Sequence, residues 1–394
     1  MDLPGIPRKA FSLQCVNYFI KFMTTDGTLN KNLEELLTLA KTGLYHAPPV
    51  KRVYIPKGNS TELRPLGIPT FADKVLQRAT LMVLEAVFEQ EFLACSHGFR
   101  PGRSALNASN EVDTTIFQWG ECYLIDVDIR KYFDSIPHEK LREIFKLRIA
   151  DGILIKLFGK WLNAGVFEHG VRKMHDSGSP QGAVISPLLA NLFLHHALDL
   201  WFEEVVKVHT KGQVKLIKYA DDFVIITKEK HDAERIFAVL GKRLAKFGLA
   251  INEEKTRVVH FSPFTRQTFN FLGFTHYWGK SRQGKMIPRR KTAKDRLVKI
   301  ARNLKGRCQR ILHDNLDTQA AAINRMLVGI YNYYGVMHNF RSLSMIRYIA
   351  ETNWYFALKK RAQRRTLTWD EFNLILKKFP LQQARIKQLA YSSS

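Results

Sequence analysis

The chain has 394 residues, 45% hydrophobic and 25% charged, a balance that excludes a disordered tail or a fibre and fits a globular protein of two or three domains. Lys and Arg outnumber Asp and Glu by 61 to 36, a net charge of +25, which excludes a protein that meets only small neutral ligands and points to a polyanionic partner. No apolar run reaches the roughly 18 residues of a membrane span, residues 1–10 lack a secretory signal, and Cys15, Cys95, Cys122 and Cys308 have no zinc or disulfide spacing, so a cytoplasmic chain without a membrane partner is expected.

The pattern predicts one or two short helices before the break at Pro48-Pro49, one of them over 33–44. From Val50 the chain alternates and is β-branched, a polar turn spans 57–62, and residues 63–69 lead back, so a hairpin is expected. Residues 73–92 place Val75, Leu76, Ala79, Met82, Val83, Ala86 and Val87 on one helical stripe. Residues 122–129 read as a strand interrupted by acids, with helices opening near Pro137 and at Ser186-Pro187. Runs at 214–217 and 223–227 flank Tyr219-Ala220-Asp221-Asp222, a hairpin with two aspartates at its tip. Residues 231–247 are helical and Gly248 ends them. Strands and helices do not alternate regularly, which favours an α+β fold, an antiparallel sheet with helices on one face, over a doubly wound sheet.

The last third differs in charge. Residues 280–394 hold 25 Lys/Arg against 6 Asp/Glu, whereas residues 1–279 hold 36 against 30. A helix over 292–312 gathers Leu297, Ile300, Ala301, Leu304, Cys308 and Ile311 on one face and sets Lys294, Lys299, Arg302, Lys305, Arg307 and Arg310 elsewhere, so it can dock on one side and meet phosphates on the other. Further helices are expected over 318–333 and 342–365. Trp354, Lys359, Lys360, Arg361, Arg364 and Arg365 either extend that cationic surface or form an ordinary helix with Trp354 in the core.

Acids on strands are uncommon unless they bind cations. Asp126 and Asp128 share a strand face by their two-residue spacing, and Asp221 and Asp222 stand together at the hairpin tip. The chemistry this suggests is a divalent metal, although an Asp-Asp pair alone fits a turn equally well.

Further segments narrow the reading: Asp128-Ile-Arg-Lys-Tyr-Phe133-Asp134, Ser179-Pro-Gln-Gly182, Tyr219-Ala-Asp-Asp222, Gly248-Leu-Ala-Ile-Asn252-Glu-Glu-Lys255-Thr256 and Phe271-Leu-Gly273. In their order and spacing they resemble the motifs of a reverse transcriptase. Arg64-Pro-Leu-Gly-Ile-Pro69 and His97-Gly-Phe-Arg-Pro-Gly-Arg-Ser104 resemble the fingers motifs of the bacterial group II intron subfamily, and 323–335 with 354–386 is similar to its maturase segment. The likeness covers about residues 50–387.

What the resemblance implies is a right-hand polymerase: an N-terminal helical extension (1–49), fingers and palm (50–291), the start of a helical thumb (292–317) and a basic maturase-like domain (318–394). It implies an RNA-directed DNA polymerase, extending a DNA or RNA primer on an RNA template with dNTPs, with two Mg²⁺ ions (Mn²⁺ as a substitute). Asp128 and Asp221 would bridge the metals, Asp222 would be the auxiliary carboxylate, and the carbonyl of Ile129 would complete the set. Lys57 and Arg64 would cover the triphosphate, Gln181 would reach the sugar, Gly182 would allow close backbone approach, and Lys255 would protonate pyrophosphate. Phe133 would exclude a ribose 2′-OH, or else is a packing residue. Lys294, Lys299, Arg302 and Lys305 would grip nucleic acid, and Asp126 would be structural. A structured RNA such as a group II intron is the implied partner. The Cys- and His-bearing nuclease domain of some relatives has no counterpart in the sequence, so DNA cleavage is not expected. Two other readings stay open at this point: a host-adapted, free-standing reverse transcriptase in defence or repair, and a splicing factor that only binds RNA.

Overall fold

The computed structural model describes residues 27–56, 63–168, 171–173, 182–361 and 366–387, and its strands fall into three sheets. After helix α1 (Gly27–Thr42), β1 (Val50–Pro56) and β2 (Leu63–Ile68) pair antiparallel from Lys51–Ile68 to Pro56–Leu63, as the alternation predicts. The β4–β5 hairpin (Val166–Glu168, Val171–Lys173) joins beside β1, in parallel with it.

Helix α2 (Phe71–Phe88) starts at Thr70, whose hydroxyl accepts from the Asp73 amide, and it ends four residues before the predicted limit. Its buried set differs from the predicted stripe: Ala86 is exposed, while Asp73, Gln77, Thr80, Leu81, Leu84 and Phe88 are buried. The reason is a polar network inside the core. Asp73 accepts from Tyr45 Oη (2.6 Å), Trp161 Nε1 (2.8 Å) and Gln77 Nε2 (3.2 Å), and Gln77 Oε1 accepts from the Val184 amide (2.9 Å). Burial pushes the Asp73 carboxyl up, and these donors hold it down.

The second sheet carries β6 (Val214–Tyr219), β7 (Asp222–Thr227) and β3 (Cys122–Val127) in that order, all antiparallel, with the first residues of β8 (Arg257–Phe261) beyond β3. Helices α3 (Ala105–Trp119), α4 (Tyr132–Ser135), α5 (His138–Lys146) and α6 (Gly152–Leu162) precede α7 (Ser186–Leu194). Two π-helical stretches, His195–Asp199 and Phe202–Val206, carry α7 on to the short α8 (Lys207–His209). Helix α9 (Lys230–Ala245) ends near Gly248, which takes the left-handed φ of 78° its position requires. One apolar core joins α2, β3, α5, α6, α7, β7 and α9.

The chain divides into two compact units, one of residues 1–108 with 122–258, the other of 109–121 with 259–394. The second holds the sheet of β9 (Phe269–Phe271), β10 (Phe274–Lys280) and β11 (Met286–Thr292), followed by α10 (Lys294–Arg310), α11 (Leu316–Tyr334), α12 (Phe340–Arg361) and α13 (Trp369–Lys378). Asp113 on α3 meets this sheet through His276 Nδ1 and Arg290 Nε, each 2.8 Å away. The Phe271-Leu-Gly273 turn packs on α11: Tyr333 Oη donates to the Leu272 carbonyl (2.7 Å), and Phe274 stacks on the Tyr333 ring.

The helices of this unit share a core of Leu304, Cys308, Ile323, Leu327, Ile346, Trp354 and Phe372. Trp354 is fully buried and its Nε1 donates to Gln319 Oε1 (2.8 Å), so of the two readings of this residue the core one holds. Among the described residues no helix is long and apolar enough to cross a membrane.

Candidate active site

One sheet of the first unit carries two of the predicted carboxylates at its strand ends and a third in the adjoining turn. Strands β3 and β7 pair from Tyr123–Thr227 to Val127–Phe223, so continuing that register sets Asp128, the residue after β3, opposite Asp222, the first residue of β7. On β7's other side the β6 ladder closes at Tyr219–Asp222, which leaves Ala220 and Asp221 as a two-residue turn. Ala220 takes a φ of 56°, a left-handed conformation that costs a residue with a Cβ about 1 kcal/mol or more.

That turn is held from behind by the segment resembling a fingers motif. His97 donates its amide to the Lys218 carbonyl, and Lys218 donates its own to the Cys95 carbonyl, both at 2.8 Å. Gly98 lies so close to the turn that a Cβ there would collide with the Ala220 nitrogen, and its carbonyl accepts from Asn191 Nδ2 at 2.5 Å. Arg100 locks the segment. Its guanidinium is almost fully buried and donates to both Glu89 carboxylate oxygens and to the carbonyls of Leu93 (2.6 Å), Ser96 (2.8 Å) and Phe92 (3.2 Å). A five-donor fork suits such a multiple anchor and a lysine does not.

Under the same hairpin lies an ion pair that sequence reading missed. Lys218 and Asp199 are both fully buried, with Lys218 Nζ donating to Asp199 Oδ2 at 2.8 Å. Nothing in a Lys before Tyr219 marks it as internal, since β6 carries a second lysine, Lys215, that is only half-buried. Tyr132 is also fully buried and donates to the Ala190 carbonyl (2.5 Å). Burial, then the charges of Asp221 and Asp199, push its hydroxyl well above the ordinary range.

Asp128 is gripped by the segment 250–256. The Asn252 amide donates to the Asp128 carbonyl (2.7 Å), Asn252 Nδ2 to Asp128 Oδ2 (3.0 Å), and the Asp128 amide to Thr256 Oγ1 (3.3 Å). Lys255 Nζ stands 3.5 Å from the same Asp128 Oδ2. Asp126, on the same face two residues earlier, pairs with Arg257 instead, at 3.8 Å. Its carboxyl is pushed up to about 6, by burial first, with Arg257 lowering it and the charge of Asp128 raising it.

The remaining predicted residues are distributed unevenly. Phe133 is half-buried, packs edge-on to Tyr132 and borders the main core. Ile129 is buried and bridges to Ile251. Gly182, at a φ of 107°, approaches β2: a Cβ on it would stand 2.7 Å from the Gly67 carbonyl, so the close approach visible here is to backbone. Arg64 is on β2, but its side chain, Lys57 and Gln181 lie outside the described residues. Lys294, Lys299, Arg302 and Lys305 are exposed on α10 in the second unit.

Among the described residues no three His, Cys, Asp or Glu side chains converge closely enough to enclose a metal by themselves. The donor set nevertheless suits a hard divalent cation such as Mg²⁺, which takes a few carboxylate oxygens and completes its shell with water and substrate oxygens.

The sequence family described as reverse transcriptase (RNA-dependent DNA polymerase) matches residues 55–276, which contain this whole carboxylate cluster. The group II intron-encoded protein LtrA of Lactococcus lactis subsp. cremoris is 31% identical over 422 residues, covering 86% of this chain and 69% of that protein. This chain is a reverse transcriptase of the group II intron-encoded family. Protein YkfC of Escherichia coli (strain K12) is 35% identical over 283 residues, 64% of this chain and 72% of that protein. A solved telomerase structure from Candida albicans, in complex with a fragment of telomeric RNA, matches 89% of this chain and 65% of that one at 13% identity and a TM-score of 0.45, a likeness too loose to carry weight. The reverse transcriptase is thus an RNA-directed DNA polymerase with a mixed α/β right-hand architecture, it depends on a divalent metal, and a nucleic-acid template and intron RNA are its partners. The intron-encoded type is favoured over a host-adapted one.

Proposed function

We propose that this reverse transcriptase adds dNTPs to a DNA or RNA primer on an RNA template with two Mg²⁺ ions held by Asp128, Asp221 and the Ile129 carbonyl, Asp222 adding negative charge beside them. The observation that supports this best is the cluster itself: continuing the β3–β7 register sets Asp128, directly after β3, opposite Asp222 at the start of β7, and Asp221 stands beside Asp222 in the strained turn. Such ions, when bound, activate the primer 3′-hydroxyl and offset charge on the α-phosphate and the leaving pyrophosphate. The protein's own groups do the rest. Lys57 and Arg64 bind the triphosphate, Gln181 hydrogen-bonds the sugar, and Gly182 keeps the approach to the nucleotide open. Phe133 closes the space a 2′-OH would need. Lys255 gives a proton to pyrophosphate as it leaves.

In this reading residues 50–291 are fingers and palm, 292–317 the start of the thumb and 318–394 a maturase-like domain, with 1–49 an N-terminal extension. The exposed cations Lys294, Lys299, Arg302 and Lys305 grip phosphates of the template–primer, with an affinity that falls as salt rises. The basic helices after them bind intron RNA and assist its splicing and mobility, and the protein works in a bacterial cytoplasm. Substitution tests the site: Asp128→Ala and Asp221→Ala should each abolish nucleotide addition while RNA binding stays within about twofold, because neither side chain lies on the cationic surface. Synthesis retained by either variant would overturn the assignment.

A further inference from the structure

The segment Asn252-Glu-Glu-Lys255-Thr256 closes a tight turn, with the amides of Lys255 and Thr256 both donating to the Asn252 carbonyl, at 3.1 and 2.8 Å. From it two donors of different kinds reach one atom, Asp128 Oδ2: the neutral amide of Asn252 at 3.0 Å and the ammonium of Lys255 at 3.5 Å. Their circumstances differ. Asn252 is half-buried and its own backbone is bonded to Asp128, its amide donating to the Asp128 carbonyl at 2.7 Å, so its side chain has one short path to one target. Lys255 is more than half exposed, at 56%, on a flexible four-carbon stem.

The electrostatics separate the two roles. A neutral amide donor fixes the carboxylate's rotation without neutralising it, and an oxygen that accepts one N–H keeps a lone pair for a cation. An ammonium at the same oxygen is itself a cation, and it competes for the negative charge that attracts a metal. We propose that Asn252 is a positioning residue that sets the Asp128 carboxylate for metal binding, and that Lys255 is an exchangeable counter-ion which leaves Asp128 when a divalent ion arrives and is thereby freed to reach the triphosphate. This rests on the assignment of Asp128 and Asp221 as metal-holding residues and adds to it how one of them is preset.

Outer-sphere partners of metal ligands typically change affinity by about 10- to 100-fold when removed. The probe is Mn²⁺ alone, titrated by electron paramagnetic resonance into the full chain with no nucleotide or RNA, with Mg²⁺ dependence of primer extension as the second readout. Asn252→Ala keeps the backbone bond to Asp128 and should weaken Mn²⁺ binding about tenfold, with the Mg²⁺ needed for half-maximal extension rising in parallel and the melting temperature little changed. Asn252→Gln, whose amide sits one methylene further out, should weaken it in the same direction. Lys255→Ala should act with the opposite sign and tighten Mn²⁺ binding while slowing extension.

Unchanged Mn²⁺ affinity in both Asn252 variants, or a loss in Lys255→Ala equal to theirs, would overturn the inference. Asp128→Ala and Asp221→Ala run alongside separate the two levels. If they abolish Mn²⁺ binding and the Asn252 variants do not alter it, only the positioning role fails; if they too leave it unchanged, the metal assignment fails first.

Discussion

Asp126 and Asp128 stand on one strand face, two residues apart, and differ in what surrounds them. Asp128 is met by Asn252, Thr256 and Lys255, while Asp126 is three-quarters buried with one distant guanidinium, and its carboxyl titrates at about 6. An unfolded Asp titrates near 3.9. Between those values the folded chain holds more protons than the unfolded one, so the neutral acid's contribution is full below about pH 4 and is lost as pH rises through 6. Asp126→Asn should remove that fall and gain on the order of 1–3 kcal/mol over the wild type at pH 8 relative to pH 4, read from denaturant melts without metal. Equal pH dependence in the two proteins would show that Asp126 is not the group responsible. Phe133 makes the second prediction at this scale: Phe133→Ala should raise the efficiency of rNTP relative to dNTP addition by roughly tenfold or more, and an unmoved ratio would reassign it to packing. The family was legible through its motifs, the acids among them, because the chemistry restricts their residue types. Lys218 and Trp354 were not, because a buried lysine and an interfacial one look alike in sequence until a partner such as Asp199 or Gln319 is placed beside them.

At the scale of elements, the hairpin β6–β7 was read almost to its ends from apolar runs flanking an acidic tip. What could not be read is how it is braced. The contact of 95–98 with Lys218 and Ala220 joins residues more than a hundred positions apart, and no local periodicity reports it. Gly98→Ala should therefore push the turn away from Asp128 and lower the rate of nucleotide addition by about a hundredfold, the scale of a 1 Å misplacement, while affinity for template–primer holds. A wild-type rate would mean that the turn does not need this brace. Helix α2 shows the converse limit. Its seven predicted apolar positions assume one buried face, but Asp73 and Gln77 are internal too, because their hydrogen bonds to Tyr45, Trp161 and Val184 are satisfied. Helix α10 followed its pattern more closely, with Leu304 and Cys308 buried and Lys294, Lys299, Arg302, Lys305 and Arg310 exposed, though Arg307 is half-buried.

Over the whole molecule, the charge asymmetry and the carboxylate cluster fall on different parts of the chain, the acids in the first unit and most of the excess cations in the second. Class and order of motifs were legible from sequence, since a polymerase needs carboxylates for cations and cations for phosphates. The division into units was less so: residues 109–121 belong with 259–394 through Asp113, His276 and Arg290, a buried network in which Asp113 is 163 or more positions from both partners. The same separation of charges predicts that catalysis and RNA binding can be lost independently. Primer extension on an RNA template with Mg²⁺, run with dNTPs and with rNTPs and with Asp221→Ala beside the wild type, tests this most directly. Extension with dNTPs that disappears in the variant, and little extension with rNTPs, is the predicted result; wild-type protein that binds template–primer but extends with neither, or a variant that still extends, would contradict the account.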